Sequence, residues 1–244
     1  MKIVPFRGVG SGAVIVLWGL TAAAAIAMSV RVSPLLNCGV QYRLACVTTG
    51  TIAPGTVAPD SSDITLYNDF VTADAHAQTA LAALGTTWTA IASATRVNAR
   101  DNTGTVPTVN GGSNGVPIYL LDGSRLVSGY DSFWNHFGLL INFDRDGNEV
   151  DFGTRIWTGS RFTGVGDLVF GLTQTSVYGT VGGVLDDWIR EGDADVSDEY
   201  SLYGISGILT VPTVTAAPEP GALGILALGF AGIVLARRRR QDER

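Results

Sequence analysis

The chain is poor in the residues that most metal and nucleophilic sites require. Its 244 residues include two cysteines, Cys38 and Cys46, and two histidines, His76 and His136. The cysteines do not have the spacing of a metal-binding pattern, and no His-x-x-x-His pair occurs. We therefore expect no zinc centre, and we interpret the isolated histidines as structural residues.

Basic residues are also scarce once the two ends of the chain are set aside. The whole chain carries 16 basic and 22 acidic side chains. Leaving out residues 1–27 and everything after Pro220 removes seven basic and two acidic side chains, so 9 basic and 20 acidic ones remain. A surface this acidic repels phosphate backbones, and we expect no nucleic-acid partner. It fits a solvated surface or one that binds cations.

The last 27 residues have the composition of a membrane segment. Pro218-Glu219-Pro220 precedes an uncharged run at 221–236, which ends at Arg237, Arg238, Arg239 and Arg240. As a helix the run is ~24 Å long, and bilayer thinning with arginine snorkelling closes the gap to the ~30 Å hydrocarbon core. Because arginines stay cytoplasmic, the residues before Pro218 are predicted to be exported. The alternative is a buried C-terminal helix, which the adjacent arginines disfavour.

This tail resembles the PEP-CTERM sorting signal of Gram-negative bacteria, which has a Pro-Glu-Pro motif, a hydrophobic span and an arginine cluster in this order. The resemblance implies recognition by an exosortase, a membrane enzyme that processes such tails, in a host that makes exopolysaccharide. It assigns Pro218, Glu219 and Pro220 to the sorting motif, 221–236 to a transmembrane helix and 237–244 to a cytoplasmic tail. The processed protein is then expected at the cell surface or in the extracellular matrix of a biofilm.

The N-terminus has the features of a secretory signal peptide. Lys2 and Arg7 precede an apolar run with a small-x-small end at 25–27, so we predict a signal peptide over 1–27. The alternative, an uncleaved signal anchor, is disfavoured by the alanine-rich end. Residues 28–63 are predicted to form a flexible leader, because 48–63 is rich in Thr, Pro, Gly and Ala. Within this leader the two cysteines either close a small disulfide loop or stay unpaired.

A single globular domain is predicted over 64–211, followed by a linker at 212–220. It holds four of the five tryptophans, enough aromatic surface for one core. A helix capped by Thr72 is predicted over 72–84, and an Asp-Gly hairpin turn at 144–148. Short strands or extended segments are predicted at 88–94, 116–121, 141–143, 149–151, 155–159 and 202–209. One main helix followed by several short, mostly antiparallel strands indicates the α+β class.

Five motifs of this domain resemble those of endostatin and its bacterial relatives. They are, in order, Val116-Pro-Ile-Tyr-Leu-Leu, Ser132-Phe-Trp, Ile141-Asn-Phe-Asp-x-Asp-Gly, Ile156-Trp-Thr-Gly-Ser and Ser201-Leu-Tyr-Gly-Ile-Ser. The resemblance implies a C-type-lectin-like fold. It does not extend to the family's disulfide, whose cysteines are expected near Ala77 and Gly204. Calcium-dependent sugar motifs such as Glu-Pro-Asn are missing too, and so is the arginine surface with which endostatin binds heparin.

Oxygen ligands are concentrated in the predicted hairpin turn and just after it. The residue types at Asp144, Asp146, Asn148, Glu149 and Asp151 bind calcium, which makes this segment a candidate calcium site. However, the glycine stands fourth in the loop and not sixth as in an EF-hand, and Asp-Gly turns are ordinary hairpin connections. A second acidic stretch, 186–199, is interpreted as a solvated loop. We expect no other cofactor.

Together these features predict an exported, non-catalytic binding module for exopolysaccharide or a protein partner. The aromatic loops between Gly123 and Gly183 are the expected contact surface. The alternative is a structural, acidic matrix protein cross-linked by divalent cations. A hydrolase with paired carboxylates is the third possibility, since the distance between carboxylates in space cannot be read from a sequence.

Overall fold

The computed structural model describes residues 30–57, 60–108, 114–135, 140–183 and 185–213. The predicted signal peptide, sorting motif, hydrophobic run and arginine cluster lie outside these residues, and so does His136. The described residues form a mixed body that is mostly sheet with few helices, which confirms the predicted mixture of a main helix with short strands.

The helices are short apart from the first. They are α1 Ile64–His76, α2 Thr79–Ala82, α3 Ala99–Asn102 and α4 Tyr130–Asn135, with a 3-10 turn at Pro54–Thr56. The strands are β1 Gln41–Val47, β2 Trp88–Ala90, β3 Ile118–Leu120, β4 Arg125–Val127, β5 Arg155–Trp157, β6 Thr175–Thr180, β7 Gly192–Asp195, β8 Ser201–Ser206 and β9 Leu209–Thr210.

These strands form one sheet in the order β4-β3-β1-β8-β5-β6-β7, with β9 paired to β1 and β2 paired to β8. The pairs β1–β3 and β5–β8 are parallel, and the other pairs are antiparallel. β8 pairs with three other strands: with β1, with β5 at its first two residues and with β2 at its last three. Both ends of β8 are therefore fixed to separate parts of the chain.

The structure corrects the prediction of a flexible leader at 28–63. This segment contains β1, which lies between β3 and β8 and is buried at six of its seven residues. Arg43 interrupts the apolar run, but its Nη1 donates a buried hydrogen bond to the carbonyl of Thr103 (2.6 Å). The domain thus begins before residue 64, because the sheet would otherwise lack its central strand.

The main helix begins and ends eight residues earlier than predicted. Asp63, not Thr72, caps it, and the Asp63 carboxylate accepts a hydrogen bond from the N–H of Thr65 (3.0 Å). The hydroxyl of Thr72 instead donates to the carbonyl of Trp88 (2.8 Å) and accepts from its N–H (3.0 Å). Thr72 therefore joins the helix to β2, and the predicted C-terminal part is the separate turn α2.

The predicted strands are shorter in the structure, and four strands were not predicted: β1, which lies in the predicted leader, and β4, β6 and β7. β2, β3 and β5 lie within predicted segments, and β8 and β9 divide the segment predicted at 202–209. The extended segments beside the Asp-Gly turn meet only at one antiparallel bridge, Phe143 with Glu149. β4, β6 and β7 were missed because they are short, polar or rich in glycine, and such segments have little periodic pattern.

The core contains all four tryptophans of the described residues. Trp88, Trp134, Trp157 and Trp188 are at most 1% exposed. Trp134 and Trp188 contact each other (ring centroids 6.0 Å apart), and Trp188 also contacts Tyr203 (6.1 Å). Burial of side chains this large contributes much of the hydrophobic stabilisation of a domain of this size.

The space around Gly204 leaves little room for a side chain. This residue pairs with Cys46 in β1 and lies under α1. A Cβ atom at Gly204 would come 2.6 Å from Cγ1 of Val71, so any larger residue here would require the Val71 side chain to shift. Cys46 is buried, Cys38 is exposed and both are free thiols, so they do not form the small disulfide loop.

Candidate functional site

Three strands bring an arginine and three aromatic rings together at one end of the sheet. Arg155 and Trp157 are two residues apart in β5 and so lie on the same face. The register of β5 with β6 places Tyr178 directly opposite Trp157. β8 begins beside β5 in parallel register, which places Tyr200, the residue before β8, next to Arg155. We call Arg155, Trp157, Tyr178 and Tyr200 the Arg–Tyr cluster.

The guanidinium of Arg155 is held against two tyrosine rings. Its Cζ lies 4.7 Å from the ring centroid of Tyr178 and 5.7 Å from that of Tyr200. Its Nη1 donates a hydrogen bond to the hydroxyl of Tyr200 (2.9 Å), and that hydroxyl donates to Asp198 Oδ2 (3.0 Å). The cation, the two rings and the carboxylate are thus oriented by one another.

The cluster has a buried base and an accessible top. Trp157 is fully buried, and its ring packs on Tyr200 with the centroids 4.7 Å apart and the planes 35° apart. The indole N–H of Trp157 donates to the carbonyl of Asp198 (3.2 Å). Tyr178 and Tyr200 are partly exposed, and Arg155 and Asp198 are exposed. Polar groups and ring surface therefore reach solvent side by side on a fixed support.

The arginine stays charged under all physiological conditions. The hydrogen bond to Tyr200 raises the pKa of Arg155 above its usual value, and the nearby Tyr200, Tyr178 and Glu191 act in the same direction. A planar guanidinium presents several N–H donors at once, which suits hydroxyl and carboxylate acceptors on a ligand.

A polar pocket of about 270 Å³ is lined in part by residues 195–197, which come shortly before Tyr200 in the chain. It is lined by Pro54, Gly55, Thr56, Ser61, Gly171, Leu172, Thr173, Gln174, Asp195, Val196 and Ser197. Backbone hydrogen bonds of Val196 connect two of the lining segments to it. Its N–H donates to the carbonyl of Gln174 (3.0 Å), and its carbonyl accepts from the N–H of Gly55 (2.8 Å). The pocket has room for a single small polar group.

The candidate calcium ligands form an ordinary hairpin turn. Asp144 Oδ1 accepts hydrogen bonds from the N–H groups of Asp146 (2.8 Å) and Asn148 (2.9 Å). Asp146 accepts from Gln78 Nε2 (2.9 Å), Glu149 accepts from Asn142 Nδ2 (3.1 Å), and Asp151 is exposed. No group of three or more metal-binding side chains occurs among the described residues. Calcium binding by this turn stays a prediction.

An ion pair fastens the same turn to the main helix. Arg145 Nη1 lies 2.7 Å from Oδ1 of Asp74, and the carboxylate of Asp74 also accepts from the N–H groups of Gly50 (3.0 Å) and Thr49 (3.2 Å). Burial raises the pKa of Asp74, and these partners oppose that rise only in part. The arrangement connects three segments and is structural, since Asp74 is largely hidden from any ligand.

The second acidic stretch is not simply a solvated loop. It contains β7, which lies at the edge of the sheet and exposes Asp193 and Asp195. Charged side chains on an edge strand hinder pairing with another chain, so a protective role accounts for these two residues.

The region predicted as the contact surface contains three of the four residues of the Arg–Tyr cluster. Arg155, Trp157 and Tyr178 lie between Gly123 and Gly183, where the contact surface was expected, but Tyr200 and Asp198 lie beyond it. The sequence gives no local sign that Tyr200 lies near Arg155, because only the parallel register of β5 and β8 brings the two residues together. His76 lies apart from this cluster on α1, where its Nε2 is 2.9 Å from the carbonyl of Thr86.

The sequence also contains one Gly-x-Ser-x-Gly segment, residues 111–115, the form found at the nucleophile of many hydrolases. That turn requires a strand before it and a helix after it. Here the element that follows is the strand β3, and Ser113 itself lies outside the described residues. The motif alone therefore does not support a hydrolase.

Comparison with known families identifies the C-terminal segment. Residues 216–240 match the PEP-CTERM protein-sorting motif, a match that includes the Pro-Glu-Pro sequence and the four arginines. It supports an exported, exosortase-sorted surface protein whose precursor is anchored in the membrane at its C-terminus, as in Gram-negative bacteria. None of the curated proteins compared with the chain matches it.

The match covers the tail and not the domain that carries the Arg–Tyr cluster. Among the described residues no helix has the length and apolar character needed to cross a membrane. The predicted membrane span at 221–236 lies outside those residues, so its structure is not described here.

Proposed function

We propose that the exported domain is a non-catalytic module that binds exopolysaccharide through the Arg–Tyr cluster. The observation that carries this proposal is an exposed arginine held over two partly exposed tyrosine rings, with a carboxylate at hydrogen-bond distance from one of them. The sorting tail supports it, since it sends the domain to the surface on which such a polymer is found.

Sugar rings have two kinds of surface, and the cluster offers a partner for each. Their C–H faces pack on aromatic rings, while their hydroxyl groups hydrogen-bond to charged donors and acceptors. Tyrosine suits the first task because it provides a large, rigid area at a small cost in conformational entropy. Because Trp157 and Asp198 already fix Tyr200, little ordering is needed when a ligand binds.

Replacement of the arginine tests the proposal with little risk to the fold, because Arg155 is exposed. We expect Arg155→Ala to weaken binding to exopolysaccharide purified from the host bacterium about tenfold, a loss of ~1.4 kcal/mol typical of a central contact. Arg125→Ala is the matched control, since Arg125 is an exposed strand arginine on β4, at the far edge of the sheet. Binding of the full chain is measured by sedimentation with the polymer.

Two results would decide against this function. Equal binding by the Arg155→Ala variant and the unaltered chain would exclude the cluster as the contact surface. Absence of any polymer binding, together with capture of a surface protein that Arg155→Ala abolishes, would instead make a protein partner the ligand of the same cluster.

A matrix protein cross-linked by divalent cations is the second candidate. The exposed aspartates of β7 and the excess of 20 acidic over 9 basic residues favour it. It requires calcium-dependent assembly, which light scattering with and without a chelator detects. Indifference to the chelator would leave polysaccharide binding as the better account.

We also propose that the domain is a C-type-lectin-like member of the endostatin group. The five ordered sequence motifs support this, and so does the mixed body of one main helix and short, mostly antiparallel strands. An experimental structure that superposes on endostatin over β1, α1 and β8 would establish it. A different connection of these elements would refute it.

A further inference from the structure

The C-terminal segment leaves the domain at the end of the sheet where β9 pairs with β1. β9 pairs with the start of β1, with Leu209 opposite Tyr42. The N–H of Gly39 donates to the carbonyl of Val211 (2.9 Å), and the described chain ends at Thr213. We call the segments that meet here, 32–42, 85–89 and 206–213, the exit end.

The Arg–Tyr cluster lies at the opposite end of β8. Tyr200 directly precedes the first residue of β8, whereas Ser206, its last residue, adjoins the exit end. Six strand residues span about 17 Å at ~3.3 Å per residue. The sheet therefore separates the proposed ligand surface from the point at which the tail leaves the domain.

The exit end carries no charged residue, although the exported chain is strongly acidic. The segments 32–42, 85–89 and 206–213 contain no Asp, Glu, Lys or Arg. Residues 85–89 join the other two through β2 and through the N–H of Gly207, which donates to the carbonyl of Thr87 (3.0 Å). At the cluster, by contrast, Asp198 and Glu199 are exposed.

Two large apolar side chains are exposed at the exit end. Leu35 is 95% exposed, and Ile208, next to β9, is 52% exposed. Single exposed leucines are common on soluble proteins. Leu35 and Ile208 are informative because of their position: both lie in the uncharged segments from which the tail leaves the domain.

The length of the tail keeps the exit end close to the membrane before processing. Seven residues, 214–220, separate Thr213 from the predicted span that starts at Gly221. Fully extended, seven residues reach at most about 25 Å. This is less than the width of a small domain, so the exit end of the anchored precursor faces the bilayer at short range.

We propose that the exit end of the anchored precursor rests on the lipid surface, with Leu35 and Ile208 in the interfacial layer and the Arg–Tyr cluster facing away. Insertion of the two apolar side chains is favourable, and the three segments of the exit end contain no charge that has to be desolvated. Anionic lipids repel the acidic far end, which acts in the same direction. This inference does not depend on what the cluster binds.

The chain provides its own probe for a test. Cys38 lies in the exit end and is exposed, whereas Cys46 is buried and will not take a label in the folded protein. A fluorophore on Cys38 of the full-length chain in vesicles of phosphatidylcholine and phosphatidylglycerol is quenched by lipids with a nitroxide headgroup. The reference is the same label on Glu199→Cys in a Cys38→Ser background, at the cluster end.

We expect the Cys38 label to be quenched several-fold more strongly than the label at position 199. Leu35→Asp combined with Ile208→Asp should reduce the Cys38 quenching to the level of the reference. The control is Phe152→Asp, which replaces an exposed apolar residue before β5 and should leave the quenching unchanged. If the double aspartate variant does not fold, the double serine variant replaces it. Equal quenching at both labels, or quenching that the double variant does not alter, would overturn the proposal.

Discussion

At the residue scale, burial gives similar side chains different roles. The two cysteines are eight residues apart, yet Cys38 is exposed and Cys46 lies in the central strand of the sheet. Burial raises the pKa of the Cys46 thiol, with smaller contributions from Asp74 and Asp144. A thiol that stays protonated and hidden from solvent is chemically inert, whereas an exposed one is accessible to reagents.

We therefore expect one reactive thiol per folded molecule and two per unfolded molecule. The measurement is a titration with a chromogenic disulfide reagent before and after addition of denaturant. Cys38→Ser serves as the control, for which the counts should be zero and one. A count of zero for the unaltered chain in both states would mean that the cysteines are joined after all.

A second residue-scale effect concerns Asp167, which lies between two arginines. Its Oδ2 is 2.8 Å from Nε of Arg190 and 3.2 Å from Nε of Arg161, and its side chain is 16% exposed. Burial by itself raises the pKa of Asp167, but the hydrogen bonds and charges of the two arginines outweigh it and lower the pKa below its usual value. The folded state therefore binds this proton less readily than the unfolded state does.

This shift predicts an acid-dependent contribution to stability. It is fully present above the unfolded pKa of about 4 and is lost as the pH falls through the lower folded pKa. Asp167→Asn should lower the free energy of unfolding by ~1 kcal/mol at pH 7 and by much less near pH 2.5. Urea unfolding over this range measures it, with Asp69→Asn as the control for loss of one charge. A deficit that is equal at both pH values would contradict it.

At the scale of elements, β1 and β8 hold the fold together. β1 bridges β3, β8 and β9, and β8 bridges β1, β2 and β5. A strand between two neighbours satisfies its backbone hydrogen bonds on both edges, and its loss exposes the edges of both partners. The start of the domain is therefore set by β1 and not by the helix.

Truncation tests this role of β1. We expect residues 30–213 to fold and residues 64–213, which start where the predicted domain starts, to lack a cooperative unfolding transition. Circular dichroism during urea unfolding distinguishes the two outcomes. A cooperative transition for the shorter chain would show that β1 is dispensable.

At the scale of the whole molecule, charge and connectivity give the domain two unlike ends. The exit end is uncharged and adjoins the tail, and the other end presents the Arg–Tyr cluster among exposed carboxylates. Such polarity suits a protein that is first held at a membrane and later displayed. Before release the cluster would already face outwards, so processing of the tail need not change its accessibility.

If the acidic end helps to orient the domain, orientation should depend on lipid charge and on salt. In the quenching experiment, the ratio of quenching at Cys38 to that at position 199 should rise with the fraction of phosphatidylglycerol. It should fall again at 1 M salt, at which the Debye length is about 3 Å. A ratio that is independent of both would leave only the apolar side chains as the cause.

The secondary structure was predicted where the signal is local and missed where it is not. β3 and β5 lie in short apolar segments, and these can be read directly from the sequence. β1 was taken for part of a leader because its arginine interrupts the apolar run and its partners lie up to about 170 residues away. Thr72 looked like a helix cap because its hydrogen bonds to Trp88 appear only when α1 and β2 pack together.

The sequence by itself determined the C-terminal sorting motif, the acidity of the protein and its mixed class. Export signals are read by other proteins as linear segments, so the match at residues 216–240 needs no folded structure. Only the tertiary structure decided where the domain begins and which residues form a candidate site. Arg155, Tyr178 and Tyr200 belong to three separate segments, and strand register alone brings them into contact, because hydrogen-bonded pairing joins residues that no local pattern relates.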